Sequence, residues 1–310
     1  MSALESRIHE LVRSGALEIP LPGRGATGAR HRMLLRFGLE DLSLARIAEA
    51  HADALAILHE ANRETRPGAL YAVWASDGPA SRVVCERGAD GDWLLSGTKQ
   101  FCSGATLATS ALITAHHADD LLLFDVRLDT AGITVEPSAW KSPAFDDTAT
   151  LAVRWDAVVV PAIRQVGGPN WYLTRPGFWH GAIGPAACWA GGAVSLVNAA
   201  TQLQRRDPHC RAQVGALQSI AWGLHAVLEQ SGREIDQDPD DLAQCARTRA
   251  LKVRHLIERA CTEVIDRFGR ATGPQLLAYD ARVVRQHASL ALYIRQCHGE
   301  RDLETIPEGA

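Results

Sequence analysis

From Ser2 to about Arg66 the apolar positions follow a helical period. Leu4, Ile8, Leu11 and Val12 form one face, and Leu42, Leu44, Ile47, Ala48, Ala54, Leu55 and Leu58 form another. The turn-forming run Pro20–Gly28 between them reads as a loop, and Ser43 is placed to N-cap the second helix. Thr65-Arg66-Pro67-Gly68 ends this stretch, and short β-type runs take over. They are Leu70–Trp74, Ser81–Cys85, Asp92–Leu95, Ser110–Ala115, Asp120–Val126, Ile133–Glu136, Thr148–Trp155 and Ala157–Val160. Turn residues such as Asp77-Gly78-Pro79 and Ala89-Asp90-Gly91 separate several of them. Such brief links predict an antiparallel barrel or sandwich, since parallel βαβ units need long crossovers.

After Gln165-Val166-Gly167-Gly168-Pro169 the pattern is helical again, over Ala182–Gln204, Ala212–Gln230, Pro239–Phe268 and Pro274 to about Cys297. Pro208, Ser231-Gly232 and Gly273-Pro274 punctuate these segments, and four long helices with brief loops predict a four-helix bundle. The expected architecture is α+β and multidomain. It comprises a short helical region (1–68), a β domain (69–164) and a helical bundle (165–310).

Composition narrows the function classes. The chain has 310 residues, 46% hydrophobic and 22% charged, with a net charge of −4. That balance disfavours a nucleic-acid binder, which needs a basic footprint. The polar start, MSALESRIHELVRSG, is unlike a secretory signal, and no uninterrupted apolar run reaches the length of a membrane span. Seven scattered cysteines without a CxxC predict reduced thiols and a cytoplasmic protein. His116-His117 and the other histidines lack metal-ligand spacing, so no metal is expected.

The most informative stretch is Trp93-Leu94-Leu95-Ser96-Gly97-Thr98-Lys99-Gln100-Phe101-Cys102-Ser103-Gly104-Ala105. With the helix, β, helix order, it resembles the β-domain signature of the acyl-CoA dehydrogenase family, W-x-L-x-G-x-K-x-[FW]-x-[ST]-x-A. The resemblance extends more weakly from about Leu70 to Leu303. It implies FAD as cofactor, with Phe101 against the flavin ring and the Ser103 hydroxyl near flavin N5. A redox ring needs an apolar face and a hydrogen bond close to that atom. Cys102 reads as an alternate-face strand residue. The resemblance also places Val73 and Trp74 on the first flavin-contacting strand, where Trp74 replaces the usual Thr. As core or pocket wall, Trp74 would need no ligand.

Further elements of the family are present in altered form. Arg205 or Arg206 stands where an arginine reaches FAD pyrophosphate; Arg206 is the candidate, and solvated surface charge is its plain alternative. Phe268-Gly269-Arg270-Ala271-Thr272-Gly273 reads as an interhelical turn, with Phe268 and Gly269 as candidate cofactor contacts. The Glu base of the family is missing. The corresponding stretch makes His298 or Glu300 the candidate base, or else a polar helix end closed by Gly299.

The resemblance implies α,β-desaturation of an acyl-CoA thioester in fatty acid metabolism, with self-association as a homodimer or homotetramer. The missing Glu keeps open a flavin-dependent monooxygenase of the same fold. A non-catalytic scaffold that has lost flavin is the reading from another class. Asn170–His180, rich in aromatics, reads as a packed linker or a pocket wall, and Trp189–Ala193 as a close helix crossing through small residues.

Overall fold

The computed structural model describes residues 2–137, 139–203 and 207–306. Two compact units divide the chain. One is Ala50–Phe178 with the N-terminal stretch to Glu18; the other is Trp179–Ala310 with Ile19–Glu49.

Three helices come first: α1 (Ala3–Arg13), α2 (Thr27–Glu40) and α3 (Leu42–Glu60). Eight strands follow: β1 (Tyr71–Trp74), β2 (Arg82–Arg87), β3 (Trp93–Cys102), β4 (Ser110–His117), β5 (Asp120–Arg127), β6 (Ile133–Val135), β7 (Leu151–Val160) and β8 (Gln165–Val166). Two short helices, α4 (Trp171–Thr174) and α5 (Pro176–Gly181), lead to α6 (Gly184–Thr201), α7 (Pro208–Gln237) and α8 (Ala246–Thr272). The last are α9 (Pro274–Tyr279), α10 (Ala281–Tyr293) and α11 (Glu300–Glu304).

In the first unit α1 is closed by a capping box between Ser2 and Glu5, and it buries Leu4, Ile8 and Leu11 as the periodicity predicts. The strands form a single sheet in the order β6-β7-β3-β2-β4-β5-β8, with β1 beside β4. The pairing is mixed. β1 runs parallel to β4 with Tyr71 opposite Ser110, and β2 meets β4 in parallel at Val84 and His116. The expectation of antiparallel neighbours throughout is corrected there. The cause is the connection between β1 and β4, which passes through β2 and β3 and so has the length a parallel return requires.

Side-chain alternation sends each strand to two cores. Trp74, Val83, Leu95, Ile113, Phe124, Val153 and Trp155 converge on one face, so the sheet curls around them. Tyr71, Leu112, Leu123 and Val166 point the other way, against Ala54, Ile57 and Leu58 of α3. Thr148–Trp155 and Ala157–Val160 are not two strands. β7 runs through both, with Ala157 at φ 48° making the kink that resembles a break in sequence. α3 is capped by Asp41, whose carboxylate accepts the Ser43 and Leu44 amides at 2.7 and 3.2 Å. Ser43 is two residues too late for that role, and its hydroxyl is buried without a partner.

The second unit is helical. α2, which the periodicity does not single out, packs on α6 where Gly38 and Gly191 meet. A Cβ on Gly38 would lie 2.3 Å from the Cys188 carbonyl oxygen, and one on Gly191 2.1 Å from that of Leu35. The small-residue crossing read at Trp189–Ala193 is this contact. Ser231-Gly232 does not interrupt α7, because Gly232 serves another purpose. Its Cα faces the start of α2, and a Cβ there would lie 2.6 Å from the Gly28 nitrogen. α8 starts at Ala246 rather than Pro239, after a loop in which Asp238 and Asp241 accept the amides of Leu242, Ala243 and Ala246. Pro176–Thr201 has the length and hydropathy to cross a membrane, but 72% of its apolar window is buried inside the fold.

Each unit encloses a histidine kept neutral by burial. Burial pushes the His31 imidazole down to about 4, with the Leu228 carbonyl opposing the shift as it accepts from Nδ1 at 3.0 Å. Burial also pushes His51 down to about 4, where its Nδ1 accepts the Tyr71 amide at 3.1 Å. Both folded values lie below the unfolded 6.5, so the unfolded chain takes up protons first as pH falls. Stability is therefore full above pH 6.5 and is lost between there and pH 4, by about 1.4 kcal/mol per pH unit for each histidine. Urea midpoints at pH 7 and pH 4.5 measure it, and an H31N/H51N double variant is expected to flatten the slope.

Candidate functional site

The candidate motif occupies the end of β3. From Gly97 to Lys99 the strand pairs with β7 in register, Lys99 opposite Val153, but Cys102 then faces Leu151. Gln100 and Phe101 thus oppose the single residue Ala152, a bulge that re-aims the strand. Phe101 takes φ 58° there and is 65% exposed, although its neighbour Cys102 is fully buried. A β-strand aromatic at positive φ is strained by roughly 1–3 kcal/mol, and such strain gathers at ligand sites.

The chain beyond the bulge is tied down on both sides. The Trp74 indole donates to the Ser103 carbonyl at 3.1 Å, and the Gly104 and Ala105 amides donate to Thr148 and Ala149 at 2.8 and 3.1 Å. Phe145 and Ala149 also have positive φ, 58° and 46°, in this same zipped pair of loops. Three hydroxyls run through it: Ser103 to Thr150 at 3.0 Å and Thr150 to Thr148 at 2.8 Å, with Thr148 donating to the Phe145 carbonyl at 2.8 Å. That last bond fixes the direction of the others. Thr148 spends its hydrogen on a carbonyl, so Thr150 donates to Thr148 and Ser103 donates to Thr150. Toward anything else, Ser103 Oγ is an acceptor.

Beneath the bulge lies Lys99, fully buried, donating from Nζ to the Ser76 carbonyl and to Thr114 Oγ1, each at 2.8 Å. Burial pulls its pKa down to about 8, against the attraction of Asp77. Ser76 in turn donates to the Gln100 carbonyl at 2.7 Å. Sequence reading assigned no role to Lys99, Thr148 or Thr150; the Lys lies in the motif itself, whereas the two threonines carry no signal of their own. Burial pushes the Cys102 thiol up to about 12, which fits an inert strand residue.

The structure brings Trp74, Phe101 and Ser103 together. Val73 points to the opposite face of the sheet, against the α3 core. Arg206 lies outside the described residues. Phe268 and Gly269 are in the second unit, and not in a turn: α8 continues to Thr272, Phe268 is fully buried in it, and the turn begins only at Gly273. His298 and Glu300, also in the second unit, are both exposed. His298 Nδ1 lies 3.3 Å from Asp302 Oδ1, and Glu300 opens α11. Gly299, at φ 57°, precedes α11 and does not close α10, which passes into a 3₁₀ turn at Ile294–Gln296. Arg254 holds that turn, donating to the carbonyls of Gln296 and Ala182 at 2.8 and 2.7 Å. Among the described residues, no cluster of His, Cys, Asp and Glu could hold a metal ion.

No family model and no curated protein matches this chain by sequence. Solved structures do match it. Methanesulfinate monooxygenase MsuC from Pseudomonas fluorescens superposes with a TM-score of 0.82 at 17% identity, over 97% of this chain and 88% of that one. Dibenzothiophene monooxygenase TdsC from Paenibacillus sp. A11-2, in a complex with FMN and indole, gives 0.84 at 16% over 97% and 89%. A nitrososynthase from Micromonospora carbonacea var. africana gives 0.80 at 19% over 96% and 86%. These are proteins of the acyl-CoA dehydrogenase-like fold, and at this identity the likeness is one of fold. The chain has that fold.

Proposed function

We propose that the chain is a flavin-dependent monooxygenase that binds reduced FMN at the bulged end of β3. The observation that carries this reading is the edge itself, where Phe101 is held out in solvent at a strained φ beside Ser103, whose hydroxyl hydrogen is directed inward. These residues fit an isoalloxazine ring: Phe101 offers the apolar face, and Ser103 offers an acceptor that suits the N5–H of reduced flavin better than the bare N5 of the oxidised form. Reduced flavin, when bound, supplies the electrons with which O₂ delivers one oxygen atom to an organic substrate. The chain's own part is to seat the ring on Phe101, hold Ser103 through Thr150 and Thr148, and fix the loop with Trp74 and Lys99.

Two features favour this over acyl-CoA desaturation. Removing an α-proton calls for a base tuned by a dry, positioned setting, whereas His298 and Glu300 stand in water. The fold neighbours named above are two monooxygenases and a nitrososynthase. FMN is preferred over FAD because Phe268 is enclosed and Gly269 lies within the α8 ladder, so neither presents a free amide to a pyrophosphate.

Anaerobic titration with reduced and oxidised FMN is the test. Tighter binding of the reduced form is expected, followed by O₂ consumption on aeration with an oxidisable substrate. Ser103→Ala should weaken reduced FMN about tenfold with little effect on oxidised FMN, the worth of one hydrogen bond to a polar ring. Bleaching of bound flavin by an acyl-CoA would restore the desaturase. Failure of both flavin forms to bind would leave a scaffold.

A further inference from the structure

A buried cation sits under the bulge that carries Phe101, and what it favours there rests on the flavin reading. Lys99 is fully buried, and its ammonium donates only to neutral oxygens, the Ser76 carbonyl and Thr114 Oγ1, each at 2.8 Å. Its third hydrogen has no acceptor, and it forms no ion pair among the described residues. Asp77, the carboxylate of the neighbouring loop, is bonded instead to His116 Nε2 at 3.0 Å. A buried charge without a counter-ion is costly, and an anion placed nearby lowers that cost.

The loop that holds this ammonium also grips the bulge. Ser76 Oγ donates to the Gln100 carbonyl at 2.7 Å, and the Gln100 amide donates to Ser81 Oγ at 2.9 Å. Phe101 comes next, about 7 Å along the strand from Lys99. Few other charges compete at this place. Cys102, on the same strand, is a thiol that burial pushes up to about 12. Arg82 of β2 and Arg154 of β7 both oppose Thr98 and are exposed, while Lys99 itself faces Val153.

We infer that Lys99 is a specificity-determining charge of this seat, favouring the reduced flavin ring, an anion at N1 above neutral pH, over the neutral oxidised ring. Ser103 separates the two forms by a hydrogen bond that pH leaves unchanged. Lys99 separates them by a charge that is lost as pH rises, because burial pulls its pKa down to about 8. Two unit charges about 10 Å apart at an effective dielectric of about 20 change affinity roughly tenfold. The bound anion raises the Lys99 pKa by the same factor, so the preference fades from about pH 8 upward.

The test is an anaerobic titration of the whole chain with reduced and with oxidised FMN, at about pH 7.5 and about pH 9. The readout is the ratio of the two Kd values, which cancels the phosphate common to both forms. The preference for reduced FMN is expected to fall about fourfold between the two pH values. In Lys99→Met it is expected to be about tenfold weaker at the lower pH and independent of pH. Lys99→Arg, charged at both, should keep the preference at both. A ratio that does not change with pH in the parent chain, or a pH dependence that survives in K99M, would overturn the proposal. So would equal weakening of both forms in K99M, the mark of a residue that only holds the loop. The parent chain and K99R carry the comparison if K99M does not fold. Binding of neither form at the lower pH would overturn the flavin reading together with this inference, whereas bound flavin with a pH-independent ratio overturns the inference alone.

Discussion

Gly191→Ala is expected to destabilise the helical unit by about 3 kcal/mol or more and to lower the melting temperature by roughly 6 °C. The added methyl would lie 2.1 Å from the Leu35 carbonyl oxygen and 2.8 Å from the Leu39 nitrogen. Both obstacles are backbone, so no rotamer change relieves the clash, and the α2–α6 crossing must open. Opening it unpacks Leu34, which is fully buried on α2. Gly215→Ala provides the control. Gly215 is an α7 glycine with nothing within 4 Å of the added atom, so helix propensity should make that change neutral or stabilising by up to about 1 kcal/mol. Melting curves of the two variants decide the matter, and a G191A midpoint equal to the parent's would refute the packing argument.

Asp125→Ala is the second large effect, about 3–5 kcal/mol of destabilisation in the β-containing unit. The Asp125 side chain on β5 is 4% exposed and pairs with Arg66, and with Arg164 at 3.4 Å. Arg66 also reaches Ser110 Oγ at 3.3 Å, while its backbone amide donates to the Tyr71 hydroxyl at 3.0 Å. Removing the carboxylate leaves Arg66, 19% exposed, without its counter-charge. Burial nonetheless raises the Asp125 pKa, against the pull of Arg66 and Arg164, so the charged acid gains less from its partners than it loses in leaving water. Removing both sides should therefore hurt less than removing one. D125A/R66M is expected to recover part of the loss, as a double-mutant cycle by urea denaturation would show.

The succession of elements was legible because it rests on local pattern. Leu4, Ile8 and Leu11 place α1, and the short apolar runs Ser110–Ala115 and Asp120–Val126 place β4 and β5. What escaped depends on distant contacts. α2 contains Gly28 and Gly38, poor helix formers, and is explained only by what those glycines admit, the α6 backbone at Gly38 and the Glu229 side chain of α7 at Gly28. Gly232 reads as a breaker for the same reason. β8 is two residues long and exists because β5 offers it an edge. In the site, the motif marked Phe101 and Ser103, but the bulge and the direction of the hydroxyl relay belong to Thr148 and Thr150, far along the chain. The turn read at Phe268–Gly273 failed because a glycine in a helix interior looks, in sequence, like a glycine at its end.

The interleaving of the two units has a consequence during synthesis. α2 leaves the ribosome about 140 residues before α6, the helix against which it packs. At roughly 5–20 residues per second that is an interval of about 7–30 s, within which the whole stretch Ala50–Phe178 is made and can close upon itself. Throughout it, Leu34 and Leu35 have no permanent cover, so the nascent chain carries a waiting apolar helix near its start. A chain stalled before Gly184 would keep that face exposed, which makes this interval the point at which chaperone holding has most to offer.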